Sequence, residues 1–354
     1  TPEEENPFER YVSSRGYEYK TGFALPNFRE RLGAVPSDLP EDCHLDAYVG
    51  MRCREYLRDL DTNRPFFLWL GFYGPHHPYV PSGRFAHMYS ADEVPDFHRT
   101  EDDLEKKPTA YRLYAQCNDH KYRGFLDASE DTFRRMKAAY YGMVSQIDWQ
   151  MDELLKQLKE QHLLDETIVV FTSDHGEFLG DHGFPAKAPF LLDCMLHVPC
   201  FIRLPGQEKG FDLDALTESV DLFPTLARLA GQEPPPWVQG RDLAPGPPET
   251  LPSRRPDRAG TAAARDVIYA EAVDKRCIRT EDWKYIHYPE KPYGELYHLS
   301  EDPYELDNLY DERPEMVASL RNRYYALLDA TEDFRHPTYR QFTATDPETG
   351  EEIT

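Results

Sequence analysis

Two short apolar runs constrain the fold of this chain more than any other feature of its sequence. Residues 66–72 read Phe-Phe-Leu-Trp-Leu-Gly-Phe, and residues 167–171 read Thr-Ile-Val-Val-Phe. Apolar runs of this length that do not alternate with polar residues are typical of strands buried on both faces, as in a parallel sheet covered by helices. The sequence therefore predicts two interior strands that are neighbours, or nearly so, in one sheet.

Helical periodicity accompanies these runs. Apolar residues recur at spacings of three and four from Phe133 to Leu158, and a shorter helix is expected from His44 to Leu60. A third strand is expected at 198–204 and a short helix at 221–230. Helix followed by apolar strand is the order of a sheet covered on both sides. The predicted fold class is α/β, with a mostly parallel sheet sandwiched by helices.

The pattern changes after a proline-rich segment, residues 234–256, which contains eight prolines. Short alternating segments with turn residues between them follow, at 267–271, 277–279, 283–288 and 295–299. They predict a small C-terminal antiparallel sheet, closed by a helix at 315–328. The expected organisation is a first domain at 1–232, a linker at 233–262, the antiparallel subdomain at 263–334 and a polar tail at 335–354.

Composition excludes several classes of function. The chain has 40 Lys and Arg residues against 64 Asp and Glu, a net charge of −24, so no dominant role on nucleic acid or anionic membranes is expected. No apolar run approaches the ~20 residues of a membrane span. The six cysteines form no C-x-x-C pair, which argues against a structural zinc site and a disulfide scaffold but leaves one or two disulfides open.

The densest polar cluster of the chain, residues 173–183, directly follows the second apolar run. Ligands in open α/β sheets bind beyond the carboxyl ends of the strands, which is where Asp174 and His175 lie. A carboxylate next to an imidazole suits a divalent metal ion. The alternative is a glycine-rich turn whose polar side chains only satisfy backbone donors. A second pair at Asp181-His182, together with Lys187, favours the functional interpretation.

A second cluster, Tyr73-Gly-Pro-His-His-Pro-Tyr79, follows the first apolar run. His76 and His77 stand between prolines, so their imidazoles have little freedom. The functional interpretation is a donor to substrate or a general acid near an anionic leaving group, and the alternative is a rigid exposed loop. Because both clusters follow predicted core strands, we expect them to converge at one edge of the sheet.

These clusters and several further motifs, in this order, resemble the sulfatase branch of the alkaline-phosphatase superfamily between about residues 64 and 310. The motifs are Pro65-Phe66-Phe67, Pro75-His76-His77-Pro78, Tyr140-Tyr141-Gly142, Ser173-Asp174-His175-Gly176, Asp221-Leu222-Phe223-Pro224, Trp283-Lys284-Tyr285 and Asp302-Pro303-Tyr304-Glu305. The resemblance implies an alkaline-phosphatase-like fold. It also implies a metal-dependent hydrolase that releases inorganic sulfate from a sulfate monoester.

The resemblance carries roles onto individual residues. Asp174 and His175 would be two ligands of one divalent cation, usually Ca²⁺ in sulfatases and often Mn²⁺ or Zn²⁺ in their phospho-cleaving relatives. Lys187 would bind the sulfuryl oxygens, and His76 would contact the leaving-group oxygen or the anion. The remaining candidates for substrate binding are His182, for which a structural role is the alternative, and His77, a neighbour of the site.

The sequence also departs from the family pattern. None of the six cysteines lies in the Cys-x-Pro-Ser-Arg motif that yields the formylglycine nucleophile, and the family's opening strand with its Asp-Asp metal ligands is absent. The chain is therefore expected to correspond to the C-terminal two-thirds of an enzyme. By itself it should be catalytically inactive and bind metal poorly, with apolar surface exposed on residues 66–70 or 167–171.

Two other hypotheses stay open. The first is a phosphonate monoester or phosphodiester hydrolase, since the Asp-His pair and the segment Phe85-Ala-His-Met-Tyr89 resemble that subgroup. The second is a non-catalytic anion-binding protein, against which the retained Asp174, His175, His76 and Lys187 argue. The expected partner is a small-molecule or saccharide sulfate ester, with no nucleic acid and no transmembrane segment. Compartment and oligomeric state are open.

Overall fold

The computed structural model describes residues 6–20, 22–119, 124–210, 212–235, 237–243, 265–331, 344–345 and 352–353. The chain forms two units, the first made of residues 1–212 and 304–308 and the second of residues 213–303 and 309–354. Residues 244–262 of the predicted linker, and most of the predicted tail, lie outside the described residues. The boundaries expected at 232 and 262 stay predictions.

Helices provide most of the regular secondary structure described in the first unit. Its helices are α1 (Pro7–Ser14), α2 (Leu45–Arg58), α3 (Asp103–Lys106), α4 (Thr109–Asn118), α5 (Glu130–Glu160) and α6 (Asp193–Leu196). Helix α5 is preceded by the N-cap residue Ser129, whose hydroxyl accepts a hydrogen bond from the Thr132 N–H. The helices expected at 44–60 and 133–158 are thus confirmed as α2 and α5.

Helices α2 and α5 pack against each other through apolar side chains that lie one turn apart on each helix. The cluster consists of Cys53 and Leu57 of α2 with Leu154 and Leu158 of α5. These residues repeat at spacing four, which places each pair on one face of its helix. The apolar residues whose spacing predicted the two helices are therefore also the residues through which the helices pack.

The prediction of a strand buried on both faces at residues 66–72 is wrong. This segment, described throughout, forms no strand, and Phe67 and Trp69 are 79% and 80% exposed. The alternate residues Phe66, Leu68 and Leu70 pack against the cluster between α2 and α5. The segment is therefore covered on one side only, because nothing in the described part of the chain packs over the other side.

The other two predicted strands of this unit are present as β1 (Val169–Thr172) and β2 (Cys200–Arg203). The interior position predicted for residues 167–171 is wrong, because β1 is partly exposed and belongs to a two-stranded sheet in the described part of the chain. Strands β1 and β2 pair antiparallel to each other, with Val170 opposite Ile202, so this ladder is not the parallel pairing with residues 66–72 that the sequence predicted. Parallel contacts occur as isolated bridges that attach residues 34 and 37 to residues 79 and 82. These bridges hold the chain just after the two histidines of the 73–79 segment.

The second unit confirms the predicted antiparallel sheet. Its helices are α7 (Leu222–Leu229) and α8 (Pro314–Thr331), and its strands are β3 (Ile268–Ala272), β4 (Lys275–Arg279), β5 (Trp283–His287) and β6 (Glu295–His298). The four strands follow chain order in the sheet, every pair antiparallel. Ile278, Tyr285 and Leu296 of the sheet pack against Leu320 and Tyr324 of α8. This unit also contains a two-residue ladder, β7 (Ala344–Thr345) with β8 (Glu352–Ile353).

Among the helices described, none has the length and apolar character needed to span a membrane.

Replacing both exposed aromatic residues by serine (Phe67→Ser with Trp69→Ser) should change the free energy of unfolding by no more than about 1 kcal/mol, because substitutions at the surface remove little burial. The same variant should lower the fluorescence of the apolar dye ANS and light scattering of the purified chain. Leu57→Ala is the control, because Leu57 is buried and its truncation should cost about 2–5 kcal/mol in urea denaturation. A loss from the double variant as large as that from Leu57→Ala would show that Phe67 and Trp69 are buried after all.

Candidate functional site

Four of the predicted site residues come together in the structure. Lys187 Nζ lies 3.2 Å from His175 Nε2, and Asp174 Oδ2 lies 3.7 Å from the same nitrogen. The charges of Lys187 and Asp174 both act on the imidazole of His76. The loop after β1 and the loop at 73–79 therefore meet at one place, as their positions after the two apolar runs predicted.

Backbone hydrogen bonds orient the Asp174–His175 pair. Asp174 Oδ1 accepts the His175 N–H at 3.0 Å, and His175 Nδ1 lies 2.7 Å from the carbonyl oxygen of Gly176. Because a carbonyl can only accept, Nδ1 carries the proton and donates. The lone pair of Nε2 is then available to a cation, and in this structure it faces the ammonium group of Lys187.

The loop that carries His76 is held by Asp46, which the sequence reasoning did not identify. Asp46 lies in the first turn of α2, is 1% exposed, and its Oδ1 accepts the N–H groups of Tyr73 at 2.9 Å and Gly74 at 3.0 Å. A Cβ at position 74 would overlap the Asp46 carboxylate, so glycine is required there. In the sequence, Asp46 has only the signature of an ordinary acidic residue at a helix start.

His77 and His182 contact the surrounding structure. His77 Nε2 donates to the carbonyl of Leu32 at 3.0 Å, and its ring packs edge-on against Phe28 and Tyr79. His182 is buried, with Nδ1 3.2 Å from the equally buried Asp103 carboxylate of α3. This placement corresponds to the structural alternative for His182, and substrate binding by either histidine stays a prediction.

Burial lowers the pKa of the His76 imidazole below its usual value, and the nearby Lys187 charge lowers it further. The hydrogen bond from His76 Nδ1 to the His77 carbonyl and the charge of Asp174 act in the opposite direction. With Nδ1 committed to that carbonyl, the neutral ring presents Nε2 as a hydrogen-bond acceptor. His76 therefore becomes a donor at Nε2 only when it gains a proton.

The donor atoms of Asp174 and His175 fit part of a metal site. Their Oδ2 and Nε2 atoms are close enough to contact one divalent ion, and carboxylate with imidazole suits Mn²⁺ or Zn²⁺ better than Ca²⁺, which takes about 6–8 oxygen ligands. No group of three or more His, Cys, Asp or Glu side chains that could hold an ion occurs among the described residues. That Asp174 and His175 are metal ligands stays a prediction.

Comparison with known proteins finds matches over most of the chain. The family model described as Sulfatase matches residues 9–232, and the model described as N-sulphoglucosamine sulphohydrolase, C-terminal, matches residues 180–330. The chain is 31% identical over 328 residues to the multifunctional alkaline phosphatase superfamily protein PehA of Trinickia caryophylli, covering 83% of this chain and 63% of that protein. It is 34% identical over 294 residues to a choline-sulfatase of Rhizobium meliloti (strain 1021), covering 80% and 55%. The chain therefore spans less than two thirds of the length of these relatives.

Solved structures confirm the predicted fold class. The phosphonate monoester hydrolase of Agrobacterium radiobacter superposes with a TM-score of 0.77 at 22% identity, covering 100% of this chain and 74% of that one. The phosphonate monoester hydrolase SpPMH from Silicibacter pomeroyi gives a TM-score of 0.76 at 20% identity, covering 98% and 72%. At these identities the similarity establishes the alkaline-phosphatase-like α/β fold and nothing finer.

The pKa of His76 should respond to Lys187. In NMR titrations of the histidine ring protons, we expect Lys187→Met to raise the pKa of His76, because removing a neighbouring positive charge makes protonation easier. Lys159→Met, which removes an exposed lysine near the end of α5, is the control and should leave that pKa unchanged. An unchanged His76 pKa in Lys187→Met would mean that the two side chains are not neighbours.

Removing the Asp46 carboxylate should destabilise the chain. Asp46→Ala leaves two backbone N–H groups without their acceptor, which should lower the free energy of unfolding by about 2–4 kcal/mol. Asp42→Ala is the matched control, since Asp42 is half exposed and pairs with Arg15 at the surface, where a pair contributes about 0–1 kcal/mol. Equal losses for the two variants in urea denaturation would show that Asp46 does not hold the 73–79 loop.

Proposed function

Because the chain belongs to the sulfatase family, we propose that its site acts in the hydrolysis of a sulfate monoester, releasing an alcohol and inorganic sulfate. The observation that supports this most is the approach of the Lys187 ammonium to His175 Nε2, with Asp174 and His76 beside them. The Lys187 ammonium, the His76 imidazole and two side chains of the kinds that bind metal ions lie together here. Such a set of groups can bind an anionic ester and stabilise the charge that develops on it.

Lys187 would bind the sulfuryl oxygens. Its ammonium carries three donors and a charge that offsets the negative charge developing as the S–O bond breaks. The loop between β1 and α6 carries Lys187 together with Asp174 and His175. The lysine therefore acts on the same group that the carboxylate and imidazole help to place.

His76 would act at the leaving-group oxygen. Its lowered pKa keeps the ring neutral in the absence of substrate, so His76 does not add a second positive charge beside Lys187. A sulfate group bound here would offset the Lys187 charge and raise the pKa of His76. The ring could then donate from Nε2 to the departing oxygen while Nδ1 keeps its bond to the His77 carbonyl.

Asp174 and His175 would hold the divalent cation on which members of this family depend. Ca²⁺ is the ion that the sulfatase resemblance implies, and Mn²⁺ or Zn²⁺ belongs to the phosphonate alternative. When bound, the ion supplies positive charge against the oxygens of the ester. The proton on Nδ1 of His175, held by the Gly176 carbonyl, keeps Nε2 in the form that a metal requires.

A second candidate function is hydrolysis of a phosphonate monoester or phosphodiester. Two observations favour it, namely the Asp174-His175 pair, where many sulfatases have Asp-Asn, and the 31% identity to a multifunctional superfamily member over most of this chain. For the organic part of the substrate we propose a small-molecule or saccharide ester. The match of residues 180–330 to the N-sulphoglucosamine sulphohydrolase model supports a saccharide.

The two candidates separate in parallel assays of an aryl sulfate and a phosphonate monoester of the same phenol. The assays use the 354-residue chain and the complete open reading frame that contains it, both produced where formylglycine can form. We expect no turnover by the 354 residues, which contain no Cys-x-Pro-Ser-Arg motif. In the complete protein, we expect a higher kcat/KM for the sulfate, reduced about 10²–10³-fold by Lys187→Ala and unchanged by Lys159→Ala.

Each other outcome has a definite meaning. A higher kcat/KM for the phosphonate would support the second candidate, and turnover of neither ester would support a non-catalytic anion-binding protein. Multiple turnover by the 354-residue chain, abolished by Lys187→Ala, would show that a nucleophile lies within these residues.

A further inference from the structure

Five residues from the C-terminal third of the chain, Tyr304–Asn308, belong to the first unit. They follow the Asp302-Pro303 pair, and the proposed reaction gives them no role. The ring of Tyr304 stacks on His98, with centroids 3.3 Å apart and planes within 7°. Asp307 Oδ1 lies 3.4 Å from the Lys106 ammonium. The segment is therefore attached to the first unit at both ends.

Glu305, near the middle of this segment, is 1% exposed and has a φ of +58°. The left-handed region is unfavourable for a residue other than glycine, so other contacts must hold Glu305 there. Its carbonyl oxygen accepts from the buried Lys107 ammonium, and its Oε2 accepts the Asp193 N–H at 2.6 Å. A buried carboxylate bound to a backbone N–H is a strong, charge-assisted interaction.

This hydrogen bond continues into the loop that carries the site. Asp193 is the first residue of the four-residue helix α6, and Met195 of that helix accepts the Gly176 N–H at 2.8 Å. A Cβ at position 176 would overlap the Cys194 carbonyl oxygen, so the backbone of α6 lies directly against Gly176. The Gly176 carbonyl in turn accepts from His175 Nδ1 at 2.7 Å.

We infer that Glu305 is a positioning residue for the site, acting through α6 on Gly176 and so on the direction of the His175 imidazole. The same segment reaches the far part of the loop through Tyr304, because the backbone of His98 donates to Asp181 Oδ1 and accepts from the His182 N–H, each at 3.0 Å. Residues 304–308 thus hold the loop at two points, before and after Lys187. This role concerns the placement of His175 and does not depend on which ester the site cleaves.

The test removes the Asp193 N–H without changing Glu305. Asp193→Pro deletes this donor at the first position of a helix, where proline is well accepted, and Leu192 already has the extended backbone that precedes proline (ψ 157°). Asp193→Ala is the matched control, since it loses the same carboxylate but keeps the N–H. Amide hydrogen exchange and the ring signals of His175 are measured by NMR on the 354-residue chain.

We expect the Gly176 amide to exchange at least about tenfold faster in Asp193→Pro than in Asp193→Ala. The reason is that Asp193→Pro removes the hydrogen bond from the residue 193 N–H to Glu305, which holds α6 against Gly176. The His175 ring signals should shift between the two variants, while amides in the middle of α5 exchange at equal rates. Glu305→Ala should reproduce the result of Asp193→Pro, and Glu305→Gln, which keeps an oxygen acceptor, should restore slow exchange.

Equal Gly176 exchange and equal His175 signals in Asp193→Pro and Asp193→Ala would overturn the inference. Faster exchange that also includes α5 would overturn it too, because Glu305 would then contribute general stability and not local placement. Neither readout uses a substrate, so failure of the proposed hydrolysis leaves this test intact.

Discussion

The hydrogen bond between the Gly176 N–H and the Met195 carbonyl is the interaction on which the rest of the site depends. Asp174 and His175 directly precede Gly176 in the sequence. Lys187 lies on the loop between Gly176 and Met195, which this hydrogen bond closes. Only glycine fits where the backbone of α6 comes this close. Without that closure, a mobile carboxylate, imidazole and ammonium would each lose conformational entropy on binding an anion. With it, the three groups are already in place.

The site places positive charge locally in a chain whose overall charge is −24. The long-range field therefore repels the anionic ester proposed as substrate, so its binding would have to come from contacts within a few ångströms, where screening by salt is weak. Lys187 provides the charge, while the lowered pKa of His76 prevents a second permanent cation beside it. Two buried carboxylates contact the protein itself. Asp46 accepts backbone hydrogen bonds from the loop that carries His76, and Asp103 contacts the imidazole of His182.

Much of the fold, and the proximity of the four candidate site residues, could be predicted from the sequence, because both follow from local patterns. The helices at 44–60 and 133–158 were read from periodicity, and Asp174, His175 and Lys187 from their position after a strand. The run at 66–72 was wrongly predicted as an interior strand, since apolar composition does not reveal whether both faces are covered, but the apolar surface expected on residues 66–70 is exposed at Phe67 and Trp69. The supporting acids could not be found, because the Asp46–Gly74 and Glu305–Asp193 bonds join residues 28 and 112 positions apart. In the sequence alone they are ordinary charged residues.

The central claim is that Lys187, His76, Asp174 and His175 form one site for a tetrahedral oxyanion, and anomalous diffraction tests it most directly. Selenate has the shape and charge of sulfate, and its selenium can be located in crystals of the chain soaked at high selenate concentration. We expect a selenium peak about 3.5–4.5 Å from both Lys187 Nζ and His76 Nε2, the distance at which selenate oxygens accept hydrogen bonds from these nitrogens. The peak should be lost in Lys187→Met. Selenate bound only at other positions, with Lys187 and His76 well ordered and unliganded, would contradict the account.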